Sequence, residues 1–220
     1  MNVKDIQENL NLSTGDRVEL MIAQQKHLME QYHHIEAKFR FTNQCPVDLD
    51  DSRGQLLLKD FAWRTTEEIA EALSALLDET DDSKVIHSEE EIADALHFLL
   101  EFTVLSGAEP YLVLMMGPDD DLLDALFYGA SDQIADKGVA IITESAETIR
   151  QLGMVCHTLK NKPWKQTHML TDKIEFYSRL IQTLQQFCRM SYAFGMGPEE
   201  LFQMYFRKAK VNEFRQRSKY

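Results

Sequence analysis

Two stretches decide how this chain folds: TTEEIAEALSALLD at residues 65–78 and SEEEIADALHFLLEF at residues 88–102. In both, apolar residues return at intervals of three and four, the period of a helix with one buried face. Each stretch also carries two acids three residues apart, Glu68 and Glu71 in the first, Glu91 and Asp94 in the second. That spacing puts both acids of a pair on one helical face. Thr65 stands three residues before Glu68, and Ser88 three before Glu91. These are capping-box spacings, and they predict helix starts at Thr65 and Ser88. A glutamate that closes a capping box is less available for anything else.

The link from Ala72 to Glu90 is long enough for the two helices to lie antiparallel, which lets four carboxylates converge. Unpaired, such a cluster repels itself and desolvates badly. A hard, oxygen-seeking cation such as Mg²⁺ removes that penalty. The competing reading is structural: acids gather in first helical turns because of the macrodipole.

Working outward, helical spacing dominates. Asp16 to Phe39 reads as one long helix with Val18, Met21, Leu28, Tyr32, Ile35 and Phe39 on one face and Asp16 as N-cap. Thr42 to Gly54 is turn-rich, and Glu79 to His87 is a polar link. Tyr111 to Met116 and Val139 to Ile142 are apolar runs that fit either a helix end or a strand. Asp119 to Phe127, Ser145 to Thr158 and Thr171 to Ala193 read as helices. Pro198 suits the first position of a last helix, Glu199 to Val211. With 9 glycines and 5 prolines in 220 residues, no linker and no repeat interrupt this pattern. The expectation is a single all-α domain over 1–220.

The net charge of −13 argues against a protein that coats nucleic acid, which needs clustered Lys and Arg. It permits one anionic nucleotide if a metal inverts the local field. Cys45, Cys156 and Cys188 are odd in number and far apart, as expected of thiols in a reducing cytoplasm. No apolar run approaches the length of a membrane span, and the polar start of the chain does not read as a signal peptide.

The second concentration of polar groups is C-terminal: Tyr205, Lys208, Asn212, Arg215, Gln216 and Tyr220. Lys208 and Asn212 are four apart and share a face, with Arg215 about one turn further. Lys and Arg supply donors suited to phosphate oxygens; a solvated basic tail is the alternative.

These motifs together resemble the all-α nucleoside triphosphate pyrophosphatases, and most closely the dimeric dUTPase and phage dCTPase–dUTPase branch. Glu91-Ile92-Ala93-Asp94-Ala95-Leu96-His97-Phe98 is similar to that branch's ExxDxxHF segment. Tyr205 to Gln216 is similar to its YxxKxxxNxxRQ ending, and Gln25-Lys26-His27-Leu28 to the QxxL pattern of its first helix. The resemblance implies a helical bundle with a long insertion, the unaligned segment 103–193. It implies Mg²⁺ held by Glu68, Glu71, Glu91 and Asp94, with Glu68 also placing the attacking water. Lys208, Asn212 and Arg215 would hold phosphates. Gln25, or its neighbour Gln24, would contact the base.

The implied activity is cleavage of dUTP to dUMP and pyrophosphate by a cytoplasmic homodimer, with dCTP or several nucleotides as alternative substrates. A helical interaction protein without catalysis is the reading from another class. The branch's Trp/Lys-rich segment is missing between the acidic motifs. Trp63 and Trp164 are candidates to stack on the nucleotide, although burial is the commoner fate of an aromatic. His97 is expected as a packed partner of the site rather than a metal ligand, since Mg²⁺ prefers oxygen. His33 and His34 read as surface residues.

Overall fold

A computed structural model describes residues 3–36, 42–78, 83–114, 121–130, 137–162 and 164–218. Among them every regular element is an α-helix: α1 (Val3–Leu10), α2 (Arg17–Glu36), α3 (Ser52–Asp78), α4 (Lys84–Ser106), α5 (Glu109–Leu114), α6 (Leu122–Leu126), α7 (Lys137–Thr158), α8 (Lys173–Ala193) and α9 (Pro198–Arg217). The all-α reading of the sequence therefore holds. Val139 to Ile142 falls inside α7, and Tyr111 to Leu114 inside α5, so both ambiguous runs are helical where described.

α4 is the spine. It packs against α2, α3, α8 and α9, and α3 is its most extensive partner. From Leu99 to Ser106 every α4 residue is buried, including Glu101 and Thr103, so this half of the helix is covered on all sides. α7 and α8 form the second large helix pair, and α7 also lies on α3. The segment 103–193 thus supplies core residues such as Leu152, Val155, Leu180 and Phe187 to the same apolar cluster as α2, α4 and α9.

Local chemistry explains most helix ends. Asp16 caps α2 as expected, its Oδ1 accepting from the Glu19 N–H at 2.9 Å. Asp121 caps α6 and Asp172 caps α8 in the same way. Both expected capping boxes, however, are absent. α3 begins at Ser52, so Thr65 lies mid-helix and its hydroxyl donates to the Phe61 carbonyl at 2.9 Å. α4 begins at Lys84, and the Ser88 hydroxyl donates to the Val85 carbonyl at 2.8 Å. Both hydroxyls bond backward along their own helix, a habit of Ser and Thr that leaves the helix intact. Glu68 and Glu91 are consequently not closing caps. The last helix also outruns its expected end at Val211 by about a turn and a half, to Arg217. Phe39 and Tyr220, and the side chains of His33 and His34, lie outside the described residues.

α4 stops at Gly107, whose φ of 71° is left-handed and whose N–H reaches back toward the Thr103 and Val104 carbonyls. A Cβ at this position would also come within 3.2 Å of the Pro46 side chain. Gly107→Ala is therefore expected to destabilise the protein by about 1–2 kcal/mol, the usual penalty of a left-handed L-residue. The urea midpoint would report this, and an unchanged midpoint would show that the turn relaxes freely.

Candidate active site and metal centre

The α3–α4 contact brings the two acidic motifs together. Glu68, Glu91 and Asp94 each offer a carboxylate oxygen within 4.8 Å of the others, and all three are partly buried. Glu71 stands apart from this trio on the exposed side of α3, near enough for its charge to act on Glu68. The trio bears the electrostatic signature of crowded acids. Burial pushes the Glu68 carboxyl from its ordinary value up to about 8, helped by a hydrogen bond with Glu91 and by the charges of Asp94, Glu71 and Glu91. Burial raises Asp94 too, against the pull of Lys208. All-oxygen ligands in this number and spacing suit a hard divalent cation. His87 bonds Glu91 at 3.0 Å from one turn earlier in α4.

Lys208 is the unexpected member. Its side chain is buried, and its Nζ lies 2.6 Å from Asp94 Oδ2 and 3.9 Å from Glu90 Oε2. The sequence suggested a phosphate donor, whereas the fold seats Lys208 as counter-charge to a carboxylate of the trio.

Beside the trio opens a cleft of about 290 Å³. Glu68 and Asp94 line one part, Arg64, Asn212 and Arg215 add polar and cationic groups, and Leu28, Tyr32 and Phe98 add apolar walls. Its floor is a buried polar cluster. Gln25 Oε1 accepts from His97 Nδ1 at 2.9 Å and lies 3.1 Å from the Tyr205 hydroxyl, while Gln25 Nε2 donates to Glu101 at 3.1 Å. His97 stacks on Tyr205 with ring centroids 4.1 Å apart. Burial holds His97 neutral, its pKa down to about 3, partly opposed by the Tyr205 backbone carbonyl.

Of the two glutamines, then, Gln25 lines the cleft. Gln24 points into a separate groove among α1, α2 and α9, where its Nε2 donates to Glu213 at 2.9 Å. Neither tryptophan is buried and neither lines the cleft. Trp63 is 62% exposed, and Trp164, 76% exposed, has Lys162 Nζ 5.3 Å from its ring centre. Base contact by Trp63 is not what this arrangement offers.

Arg64 and Glu101 were missed in the sequence. Arg64 stands one helical turn before Glu68, and its guanidinium lies over the rings of Phe61 and Phe98 at 4.7 and 5.7 Å while pairing with Asp60. A helix start placed at Thr65 puts Arg64 off the helix and hides it. Glu101 follows Asp94 by seven residues, two turns along one face of α4, a spacing that was available to be read.

Comparison with known proteins gives one match. A sequence profile of the dUTPase family matches residues 77–220, well over half of the chain. The chain belongs to the dUTPase family. The matched region runs from the end of α3 through α9, including the segment 103–193, and contains Glu91, Asp94, Lys208, Asn212 and Arg215; Gln25 and the first acidic motif precede it. Neither a curated protein nor a solved structure matches the chain. Membership makes this chain a nucleoside triphosphate hydrolase by class. Proteins of the dUTPase type typically use a divalent metal, and an acidic trio able to hold one is present here. Among the described residues no helix is long and apolar enough to cross a membrane.

The raised Glu68 carboxyl has a measurable consequence. The folded state binds this proton more tightly than the unfolded chain does, so stability contributed by the protonated form is lost as pH rises. In chelator, the melting temperature should fall between about pH 4.5 and about pH 8, and Glu68→Gln should flatten that slope. A wild-type profile flat over this range, or an equal slope in the variant, would remove the crowded-acid account.

Proposed function

We propose that this protein is a Mg²⁺-dependent dUTP diphosphatase, releasing dUMP and pyrophosphate. The observation that carries the reading is the oxygen trio of Glu68, Glu91 and Asp94 at the edge of a cleft that is cationic on one side and apolar on the other. A triphosphate needs the first two features and a pyrimidine the third. A purely structural acidic surface would not sit beside such a cleft, which weighs against a non-catalytic interaction role.

Glu68, Glu91 and Asp94 would hold the metal, with Glu71 as an outer member. When bound, Mg²⁺ supplies charge neutralisation for the phosphates and Lewis acidity. Lys208 favours the ionised form of Asp94 and holds it in place. Glu68, the carboxyl with the greatest hold on a proton, is the group suited to orient the attacking water and take its proton. Asn212, Arg215 and Arg64 donate to phosphate oxygens. Leu28, Tyr32 and Phe98 exclude water around the base, and Gln25 addresses its polar edge. We place the enzyme in the cytoplasm as a homodimer, with the exposed apolar residues Val113, Leu114 and Ile174 of the 103–193 segment as candidates for the contact between copies.

Purified protein should release pyrophosphate from dUTP with Mg²⁺ and stop when chelator is added. Asp94→Ala and Glu91→Ala should abolish nearly all turnover with helix content intact, and Glu71→Ala should be milder, since Glu71 is exposed outside the trio. Arg215→Ala removes a charge-assisted hydrogen bond worth about 1.5–3 kcal/mol. It should lower kcat/KM by roughly one to two powers of ten with little change in melting temperature. Full activity in Asp94→Ala would end the metal-site reading. Wild-type kinetics in Arg215→Ala would return the C-terminal turn to a solvated tail.

A further inference from the structure

The polar floor of the cleft contains a one-way element. Gln25 uses both ends of its amide, Oε1 toward His97 and Tyr205, and Nε2 toward Glu101. An amide can turn over by half a rotation and exchange its donor and acceptor ends. Three neighbours bear on which way it points. A neutral histidine offers a donor or an acceptor at Nδ1 according to its tautomer. The Tyr205 hydroxyl also lies 3.0 Å from the Met21 carbonyl, so it can donate there and accept from Gln25. An ionised carboxylate can only accept. Ionised, as the proposal takes it to be, Glu101 alone of the three has a fixed polarity, and it is placed to accept from Gln25 Nε2.

The consequence runs two hydrogen bonds outward. Glu101 draws Nε2 toward itself, so Oε1 must face His97. Facing an acceptor, His97 must carry its proton on Nδ1. The nearby Tyr205 carbonyl favours a proton on His97 as well, yet His97 Nε2 is buried with no hydrogen-bond partner while Nδ1 makes a 2.9 Å bond. The made bond is the one that Glu101 enforces. The tautomer of a histidine in the wall is set by a carboxylate it does not touch.

Fixed polarity matters because the two candidate bases carry opposite patterns. Uracil presents a donor at N3 and an acceptor at O4, whereas cytosine presents an acceptor at N3 and a donor at N4. A floor whose amide can turn over accommodates both. A floor locked in one sense satisfies one and leaves buried groups unpaired against the other. We propose that Glu101 is the specificity-determining positioning residue of this enzyme, locking the Gln25 amide and the His97 tautomer so that the cleft tells uracil from cytosine. The proposal rests on reading the cleft as the nucleotide site.

The test uses the full chain and the isosteric variant Glu101→Gln, which keeps the shape but can donate. Nitrogen-15 spectra of the imidazoles identify the His97 tautomer without any substrate. The wild type should show the proton on Nδ1, and Glu101→Gln should move a substantial fraction to Nε2. In parallel, the kcat/KM ratio for dUTP over dCTP should drop by about tenfold or more in Glu101→Gln. Most of the change should lie in KM for dUTP, with kcat and Mg²⁺ affinity near wild type. Tyr205→Phe, which removes a donor but not the lock, should keep both the tautomer and the ratio.

A wild-type His97 protonated on Nε2 overturns the proposal, and this holds even if no variant folds. So does a Glu101→Gln protein that turns over nucleotides with an unchanged tautomer or an unchanged ratio, or a Tyr205→Phe protein that loses the ratio as fully as Glu101→Gln. If the tautomer switches as expected but neither triphosphate is hydrolysed and calorimetry finds no binding of dUMP or dCMP, the lock stands and the nucleotide reading of the cleft falls.

Discussion

Three carboxylates pressed together between two apolar helix faces set the terms for the rest of this molecule. Crowded beside Glu91, Glu68 and Asp94 gain nothing from proximity in the absence of positive charge, since burial and the neighbouring acids disfavour their ionised forms. What holds them in place is the apolar packing of α3 on α4, with Ile69, Ala72, Ile92, Ala93 and Ala95 all buried beside the acids. Hydrophobic contact is non-directional and large in sum, so it can impose a locally unfavourable arrangement. Among the described residues the fold seats Lys208 directly against Asp94, with Arg215 acting from further off, and leaves the remaining negative charge to whatever binds. Stability is given up at a site where charge density is needed, the pattern expected of functional rather than structural acids.

The same logic explains how far the sequence could be read. The acids were legible because spacing of three on two amphipathic stretches has few physical outcomes. The helix starts were not, because a threonine three residues before a glutamate has the same sequence pattern whether it caps a helix or bonds backward within one. That ambiguity truncated α3 at Thr65 and concealed Arg64. Lys208 could be recognised as a cation near the site, but whether it faces phosphate or carboxylate depends on the packing of α9 against α4, which no local pattern encodes. Gln24 and Gln25 are adjacent in sequence and face different cavities, a distinction set by the rotation of α2 against its neighbours. Trp63 and Trp164 show the weakness of composition as a guide, since aromatics usually seek the core and these two stay outside it.

α4 carries the polar groups of the proposed site in a single line. Glu91, Asp94, His97 or Phe98, and Glu101 follow at helical spacing, from the acidic trio to the cleft floor. All four positions lie on one continuous helix, fully buried from Leu99 onward, so in the proposed site the interval between the metal-holding acids and the base-facing groups is built into one element. Small changes in the packing of α3 or α9 leave that interval intact.

The opposite side of the cleft is built on different terms. The last buried residue of α9 is Ala209, after which its side chains are partly or wholly exposed; Gln24 ties it to α2 through Glu213. Asn212 and Arg215 therefore ride on a helix end that projects past its main support. The carboxylates on α4 are held between packed helices, whereas Arg215 is exposed near the end of α9, and exposed helix ends open at little cost in free energy. The cleft is a vice with one firmly seated jaw and one less supported jaw. In the nucleotide site proposed above, the firmly seated jaw would set where the reacting phosphorus lies, and the less supported one would leave room for a phosphate chain that changes length during the reaction.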